Sequence, residues 1–212
     1  MENIEHALKA LNEKENLKEK VDELMKIEGK MKGELLRSNF TYLREKEGGD
    51  AVIKMEKKLN ELGYPLRFSE IEPFKWYKDP FCATFMLSFN EEFGWDEEDI
   101  FNLGRFALQY SIIIKITLRY LLSLKKAFSF SSMLWRRNVD YGDLVPFEYN
   151  EEKKYMILHL KNYALHPLVC CYIKGCLTSL FEQIVGRGKI KTEEIGCIFN
   201  GEEYHTYKIS WK

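Results

Sequence analysis

Apolar residues in the first part of the chain form a narrow stripe at helical spacing. Six of them recur at intervals of four and three residues, with one phase slip: Ile4, Leu8, Leu11, Leu17, Val21 and Leu24. Residues 1–30 contain no proline and no aromatic residue, and they are rich in the strong helix formers Ala, Leu, Glu, Lys and Met. The pattern predicts a helical arm over residues 1–30.

The narrowness of this stripe leaves two interpretations of the arm. In the first, the arm is a solvated helix that lies on its own domain. In the second, it is a coiled-coil helix that forms a dimer, because a stripe this narrow is typical of a coiled-coil seam. Two heptads are marginally stable alone and require a partner. We therefore favour a homodimer formed through the arm.

From Met31 onwards the apolar stripes widen, and aromatic residues become frequent. The spacing predicts a helix over 32–46, a helix capped by Asp50 and ended by Gly63, short Phe- and Trp-rich helices within 69–92, and a helix over 97–109. Asp96 and Asp99 have the spacing of a capping pair at the start of the last of these.

The most apolar run of the chain covers Ser111–Leu124. It is too short for a membrane span and contains Lys115 and Arg119, so it predicts a core helix rather than a transmembrane segment. Residues 126–137 are expected to be helical, and Asn138–Asp143 to form a loop.

After Asp143 the apolar period changes from helical to alternating. The alternation predicts two hairpins, separated by a helix that begins at His166-Pro167 and ends at Val185. The hairpin strands are Leu144–Tyr149 with Tyr155–Lys161, and Ile190–Phe199 with Glu203–Trp211 around the turn Asn200-Gly201. The fold class is therefore α+β: N-terminal helices packed on a roughly four-stranded antiparallel sheet, in one domain over residues 31–212.

Composition restricts the function classes. The chain has 32 basic and 33 acidic residues and a net charge of −1, which argues against nucleic-acid binding. Its five cysteines form no repeating framework, and Met1–Lys20 has no apolar signal region. These features predict a soluble protein of a reducing compartment, the cytoplasm.

Three cysteines, Cys170, Cys171 and Cys176, fall on the predicted helix after His166. Cys170 and Cys171 point about 100° apart, so they cannot both bind one metal ion. All three are interpreted as buried core residues. The pair Glu193-Glu194 is interpreted as solvated, because neither glutamate has a nearby histidine or nucleophile in the sequence.

Cys197 and His205 flank the Asn200-Gly201 turn and are the candidate metal ligands. A two-residue loop would place them on opposite faces of the hairpin, whereas a three-residue loop with a left-handed Gly201 would place them on the same face. Apolar matching favours the second register, in which Ile195 and Cys197 share the face of Tyr207. Two ligands are not a complete site, so a soft metal such as zinc is a secondary hypothesis.

Standard catalytic and nucleotide-binding signatures are absent from the sequence, including the phosphate loop, GxGxxG, HExxH, CxxC and GxSxG. The aromatic residues of the helices are either ordinary core or the wall of an apolar cavity. The candidate pocket residues are Phe85, Phe89, Phe106, Tyr110 and Trp135. This combination predicts a binding protein rather than an enzyme.

Several short segments, in order and over residues 31–212, resemble the superfamily of heme nitric-oxide-binding (H-NOX) and 4-vinyl-reductase domains. The matching segments are Met31-Lys32-Gly33, Gly48-Gly49, Leu59 to Gly63, Trp95–Asp99, Asn102 to Phe106, Tyr155–Leu160, Ile173-Lys174-Gly175, Gly186 and Ile209-Ser210-Trp211. In the 4-vinyl-reductase branch a Cys-x-x-x-Gly motif crosses the last hairpin. Cys197 to Gly201 matches it, and His205 stands near the position of a second cysteine.

The resemblance also implies what this chain lacks. H-NOX domains bind heme iron through a histidine of the central helical region, and no histidine lies between His6 and His159. Their propionate motif, Tyr-x-Ser-x-Arg, is replaced by residues 160–164, Leu-Lys-Asn-Tyr-Ala. The chain is therefore expected to be a heme-free relative, with no cofactor expected apart from the secondary metal hypothesis.

The resemblance and the aromatic helices together suggest a non-catalytic sensor domain that binds a hydrophobic or aromatic small molecule and passes a signal to a partner protein. Two alternatives stay open. One is a dimerising scaffold on the same fold, for which a solid core and a large apolar surface patch would argue. The other is a reductase-type enzyme, suggested only by the family name.

Overall fold

The computed structural model describes residues 17–111 and 123–212. Its helices are α1 (Leu17–Leu24), α2 (Gly33–Glu47), α3 (Gly49–Glu61), α4 (Phe81–Phe93), α5 (Glu97–Tyr110), α6 (Leu124–Ser129), α7 (Ser131–Asn138) and α8 (Pro167–Val185). Its strands are β1 (Lys30–Lys32), β2 (Trp76–Lys78), β3 (Asp143–Asn150), β4 (Tyr155–Lys161), β5 (Ile190–Gly196) and β6 (His205–Trp211). Short 3₁₀ turns cover Phe68–Glu70 and Ile198–Asn200.

The main sheet has four antiparallel strands in the order β3-β4-β6-β5, which confirms the predicted α+β class and the hairpin–helix–hairpin arrangement. Leu158 pairs with Tyr207 and Met156 with Ile209, and all four side chains are fully buried on the inner face of the sheet. The alternation seen in the sequence thus reflects one buried and one outer face.

Helix α8 is the central helix of the domain and crosses α5 at a very short distance. A Cβ atom added to Gly104 would lie 2.0 Å from the carbonyl oxygen of Tyr172, and one added to Gly175 would lie 2.0 Å from that of Phe101. Only glycine permits this approach of two helix backbones. Arg105 and Glu182 form an ion pair of 2.6 Å that also joins the two helices.

By length and composition α8 could cross a membrane, with a mean hydropathy of 1.4 over its most apolar window, and no other helix in the described ranges meets that test. Within the fold, 67% of that window is buried against the rest of the domain. Core packing therefore accounts for its apolar character.

The described part of the arm packs on its own domain. Val21 and Leu24 of α1 are buried, and Val21 clusters with Met25 and Leu62. The helix ends at Leu24, so the predicted continuous helix to residue 30 is wrong beyond that point, where the chain turns into β1. Residues 1–16 lie outside the described residues, and dimerisation through the arm stays a prediction.

Two other local expectations are corrected. Asp50 does not cap α3: the cap position is Gly48, and Asp50 lies in the first helical turn. Residues 126–137 belong to two short helices rather than one. Most of the apolar run Ser111–Leu124 lies outside the described residues.

One element was not predicted from the sequence, the small sheet of β1 and β2, which pairs Met31 with Tyr77. Strands of three residues are too short to show an alternating pattern.

The capping pair at the start of α5 is confirmed. The Asp99 amide donates to the Asp96 carboxylate at 3.0 Å, and the Asp99 carboxylate accepts from the Asp96 amide at 3.4 Å. This reciprocal arrangement satisfies two amides that a helix N-terminus otherwise leaves without partners.

The close crossing makes a direct prediction. Gly175→Ala should lower the free energy of unfolding by about 3 kcal/mol, because the new methyl group cannot fit without separating α5 from α8. Urea denaturation measures the change. The matched control is Gly49→Ala, since a Cβ there meets no atom within 4 Å and should leave stability unchanged or slightly higher. Equal stabilities of the two variants would contradict the importance of the crossing.

Candidate functional site: a cysteine–histidine cluster and an apolar cavity

Four side chains with metal-binding atoms meet at the loop end of the second hairpin. Cys170 comes from the first turns of α8, Glu194 from β5, Cys197 from the loop after β5, and His205 from the start of β6. One ligand atom from each lies within 4.8 Å of all the others. Cys170, Cys197 and His205 are buried, and Glu194 is partly buried.

The spacing of the two sulfur atoms is that expected of a tetrahedral zinc site. A Zn–S bond of about 2.3 Å implies a sulfur–sulfur distance of about 3.8 Å in a tetrahedron. The Sγ atoms of Cys170 and Cys197 are 3.9 Å apart, and Cys170 Sγ lies 3.7 Å from His205 Nδ1. Glu194 Oε1 lies 2.9 Å from the same nitrogen. Two thiols, an imidazole and a carboxylate are a donor set that zinc accepts.

A backbone carbonyl fixes the orientation of the imidazole. His205 Nε2 donates to the carbonyl oxygen of Tyr163 at 3.0 Å. The other ring nitrogen, Nδ1, therefore faces the cysteines and Glu194. Metal-binding histidines are commonly held in this way by a partner on the second nitrogen, which also fixes the tautomer.

The electrostatics of the cluster favour one thiolate. A hydrogen bond from the Cys170 thiol and the neighbouring His205 lower the pKa of Cys197 to about 4, although burial opposes the shift. Burial would lower the pKa of His205, but its contacts with Cys197 and Glu194 raise it to about 9. The hydrogen bond to Cys197, together with burial, raises the pKa of Cys170. Both shifts act in the same sense, towards a thiolate at Cys197 and a protonated imidazole at His205.

Two of the four side chains of this cluster were predicted from the sequence as candidate metal ligands. The structure brings Cys197 and His205 together, as expected, and Gly201 has the expected left-handed conformation with φ 89°. Cys170 is buried, as predicted, and its sulfur also lies against that of Cys197, a contact that the sequence did not indicate. The interpretation of Glu194 as solvated was wrong, because its carboxylate is partly buried and contacts His205.

Neither of the two predicted loop lengths occurs in this hairpin. A bulge between Glu194 and Gly196 shifts the register, and Glu194 pairs with Tyr207. Ile195 is therefore 55% exposed instead of sharing the inner face with Tyr207. Residues 197–204 form a longer loop, which folds Cys197 back towards α8.

A second feature is an apolar cavity of about 80 Å³ between the helices and the sheet. Side chains from α2, α5, α7, α8 and β3 line it, including Leu35, Leu108, Leu134, Leu144 and Leu177. Its wall is apolar apart from a few side chains, among them Asp79, Asn138 and Tyr163. A small apolar cavity with a few polar groups is the usual form of a small-molecule site.

The predicted pocket residues occupy different places. Trp135 lines the cavity, and its indole Nε1 donates to the Tyr141 carbonyl at 3.0 Å. Phe85 and Phe89 are fully buried in an aromatic core cluster and do not line the cavity. Phe106 packs against the ring of Tyr42 at 5.2 Å. The side chain of Tyr110 lies outside the described residues.

Asp79 is the residue of this cavity that the sequence did not indicate. It follows β2, is 1% exposed, and its Oδ2 atom has no hydrogen-bond partner among the described residues. Burial raises the pKa of its carboxyl group from 3.8 to about 7, although a hydrogen bond from Tyr163 opposes the shift. The nearby Asp140 charge raises it further.

This raised pKa predicts a pH-dependent stability. Between pH 4 and 7 the unfolded chain releases the Asp79 proton while the folded protein keeps it. The contribution of Asp79 to the free energy of unfolding is therefore fully present below pH 4 and is lost as the pH rises through 7. Because the pKa in the folded protein is about 7 instead of 3.8, the loss amounts to about 4 kcal/mol. Asp79→Asn should therefore gain stability relative to the unmodified protein by about that amount between pH 4 and 8, measured by urea denaturation. A stability difference that does not change with pH would contradict this assignment.

The fold is similar to those of solved H-NOX proteins. An H-NOX protein from S. oneidensis in the Fe(II)NO state superposes with a TM-score of 0.65 at 11% identity, covering 86% of this chain and 99% of that one. An oxygen-binding H-NOX domain related to soluble guanylate cyclases, in its oxygen complex, gives 0.61 at 15% identity, covering 86% and 95%.

A third structure, solved in work on the mechanism of H-NOX activation, gives a TM-score of 0.61 at 15% identity, covering 86% of this chain and 97% of that one. No protein-family model and no curated protein matches the sequence. At these identities the likeness concerns the fold alone. The chain has the H-NOX fold.

Proposed function

We propose that this chain is a non-catalytic sensor domain that binds a small apolar molecule, without heme, in the cavity between α2, α5, α7, α8 and β3. The observation that carries the proposal is the cavity itself, which lies where the helices meet the sheet. The H-NOX fold supports it, since two solved proteins of this fold hold nitric oxide and oxygen respectively. We further propose a cytoplasmic location.

The residues of the cavity do not fit a heme. In the two described ranges no histidine or arginine lines it, so it offers neither an axial nitrogen ligand nor a cation for the heme carboxylates. The buried Asp79 carboxyl would instead repel them. The three described histidines lie elsewhere: His159 stacks on Phe147 at the outer sheet face, His166 caps α8, and His205 belongs to the cluster.

The volume of the cavity also argues against a heme. The cavity has about half the volume of the engineered cavity of roughly 150 Å³ that holds one benzene molecule. A ligand of a few non-hydrogen atoms fits this space, whereas a porphyrin is several times larger than benzene.

We also propose that the Cys170/Glu194/Cys197/His205 cluster binds one zinc ion. Four protein ligands would close the coordination sphere, and a closed site is typical of structural zinc. Such a site would tie β5, β6 and the loop between them to the start of α8. It leaves no open coordination position for a substrate, which favours binding over the reductase alternative.

The zinc proposal predicts selective loss of metal. The purified protein should bind one Zn²⁺ per chain in competition with a chromogenic chelator. Cys170→Ser and Cys197→Ser should each weaken binding by more than about 100-fold, the upper cost of losing a group that only supports a ligand.

The matched control for these variants is Cys171→Ser, because Cys171 is the buried neighbour of Cys170 and lies outside the cluster. It should bind zinc as the unmodified protein does. Equal zinc affinity in all three serine variants, or no zinc bound by the unmodified protein, would remove the site.

The ligand proposal predicts that xenon, a small apolar atom, enters the cavity. Amide chemical shifts around the cavity should move on xenon pressurisation, and Leu177→Phe, which fills the space, should abolish the effect. Ile53→Phe is the control, because Ile53 is 66% exposed and the added ring changes no cavity. Xenon shifts that survive Leu177→Phe would count against the cavity as the site. A one-to-one complex with added hemin would contradict the heme-free proposal.

A further inference from the structure

Two hydrogen-bond acceptors at the wall of the cavity lack partners. Among the described residues, neither Asp79 Oδ2 nor Asn138 Oδ1 receives a hydrogen bond, and both side chains line the same cavity. Asp79 is 1% and Asn138 6% exposed, so bulk water does not solvate them. A buried acceptor without a partner destabilises the protein, and a ligand that donates to it recovers this cost.

Most of the strong hydrogen-bond donors at the cavity wall already have an acceptor within the protein. The Tyr163 hydroxyl donates to Asp79, and the Tyr172 hydroxyl donates to Asn39 Oδ1 at 3.3 Å. The indole nitrogen of Trp135 and the amide nitrogen of Asn138 both donate to backbone carbonyls. Among the described residues the cavity therefore offers a ligand two unpartnered acceptors and, as a strong donor, only the second N–H of the Asn138 amide, which disfavours carboxylates and other pure acceptors.

The charge and the aromatic rings of the cavity wall restrict the class of ligand further. Asp79 is the one carboxyl group at the wall, and no Lys, Arg or His of the described ranges lines the cavity to neutralise it. The wall includes Trp135 and Tyr163, whose rings lie 5.3 Å apart in an edge-to-face arrangement. Aromatic rings attract cations, so the rings and the carboxylate favour the same kind of ligand.

We infer that the cavity binds a small primary ammonium ion, with Asp79 as its counter-ion and the Asn138 side-chain oxygen as a second acceptor. This inference rests on the proposed ligand-binding function, and it replaces a purely apolar ligand by one with a short apolar chain and a cationic head. The ammonium head has three donors, enough for both acceptors. The volume of about 80 Å³ limits the alkyl part to a short chain that contacts the leucines and Ile173.

The test compares two probes of equal size at pH 8, ethylamine and ethanol, each with three non-hydrogen atoms. At this pH Asp79 is ionised, since its pKa is about 7, and an alkylamine is protonated, since its pKa resembles that of lysine. Ligands of this size reach about millimolar affinity at best, so amide chemical shifts are followed up to about 100 mM probe. We expect ethylamine to bind at least 10-fold more tightly than ethanol.

Variants identify the groups responsible. Asp79→Asn should lose at least 10-fold in affinity for ethylamine and keep its affinity for ethanol. Its gain in stability at this pH makes it a folded comparison. Leu177→Phe should exclude both probes, and Ile53→Phe should bind both as the unmodified protein does.

The outcomes separate this inference from the function on which it rests. Equal affinities for the two probes, or an Asp79→Asn variant that keeps its preference for the amine, would overturn the ammonium site and leave an apolar ligand cavity. Binding of neither probe, nor of xenon, would overturn both proposals.

Discussion

The close crossing of α5 and α8 at Gly104 and Gly175 is the contact on which the other features depend. Two helix backbones approach there to a distance that excludes any Cβ atom. The contact fixes the height and rotation of α8 over the sheet. One face of that helix then carries Cys170 to the second hairpin, while Ile173 and Leu177 close the cavity. A larger residue at either glycine would displace both sites together.

Tyr163 connects the cluster to the cavity. Its carbonyl oxygen accepts the hydrogen bond from His205, whereas its ring lines the cavity and its hydroxyl donates to Asp79. A ligand that pairs with Asp79 competes for the same carboxylate, so it acts on the residue that orients the histidine. The two sites therefore share one residue, Tyr163, through its backbone on one side and its side chain on the other.

The sequence predicted the features that depend on local pattern. The capping pair Asp96 and Asp99, the two hairpins and the start of α8 at Pro167 all follow from residues close together in the chain. The candidate site was only half predicted, because Cys170 and Cys197 are 27 positions apart and meet only through tertiary packing. The bulge at Glu194 reversed which residues face inward, and alternation cannot reveal an added residue. Asp79 gave no signal, since burial of a carboxylate is invisible in sequence.

The same fold can hold different chemistry because the site depends on a few side chains rather than on the architecture. A heme needs an axial nitrogen and cations for its carboxylates, and the described cavity offers acceptors and aromatic rings instead. The cysteines and the histidine that could bind a metal lie outside that cavity, at the end of the hairpin. The metal-binding groups would thus secure the hairpin, while the cavity is left to a ligand. One oxygen of the buried Asp79 carboxyl has no partner among the described residues, so its ionisation costs stability, and a ligand that donates to that oxygen would recover part of this cost.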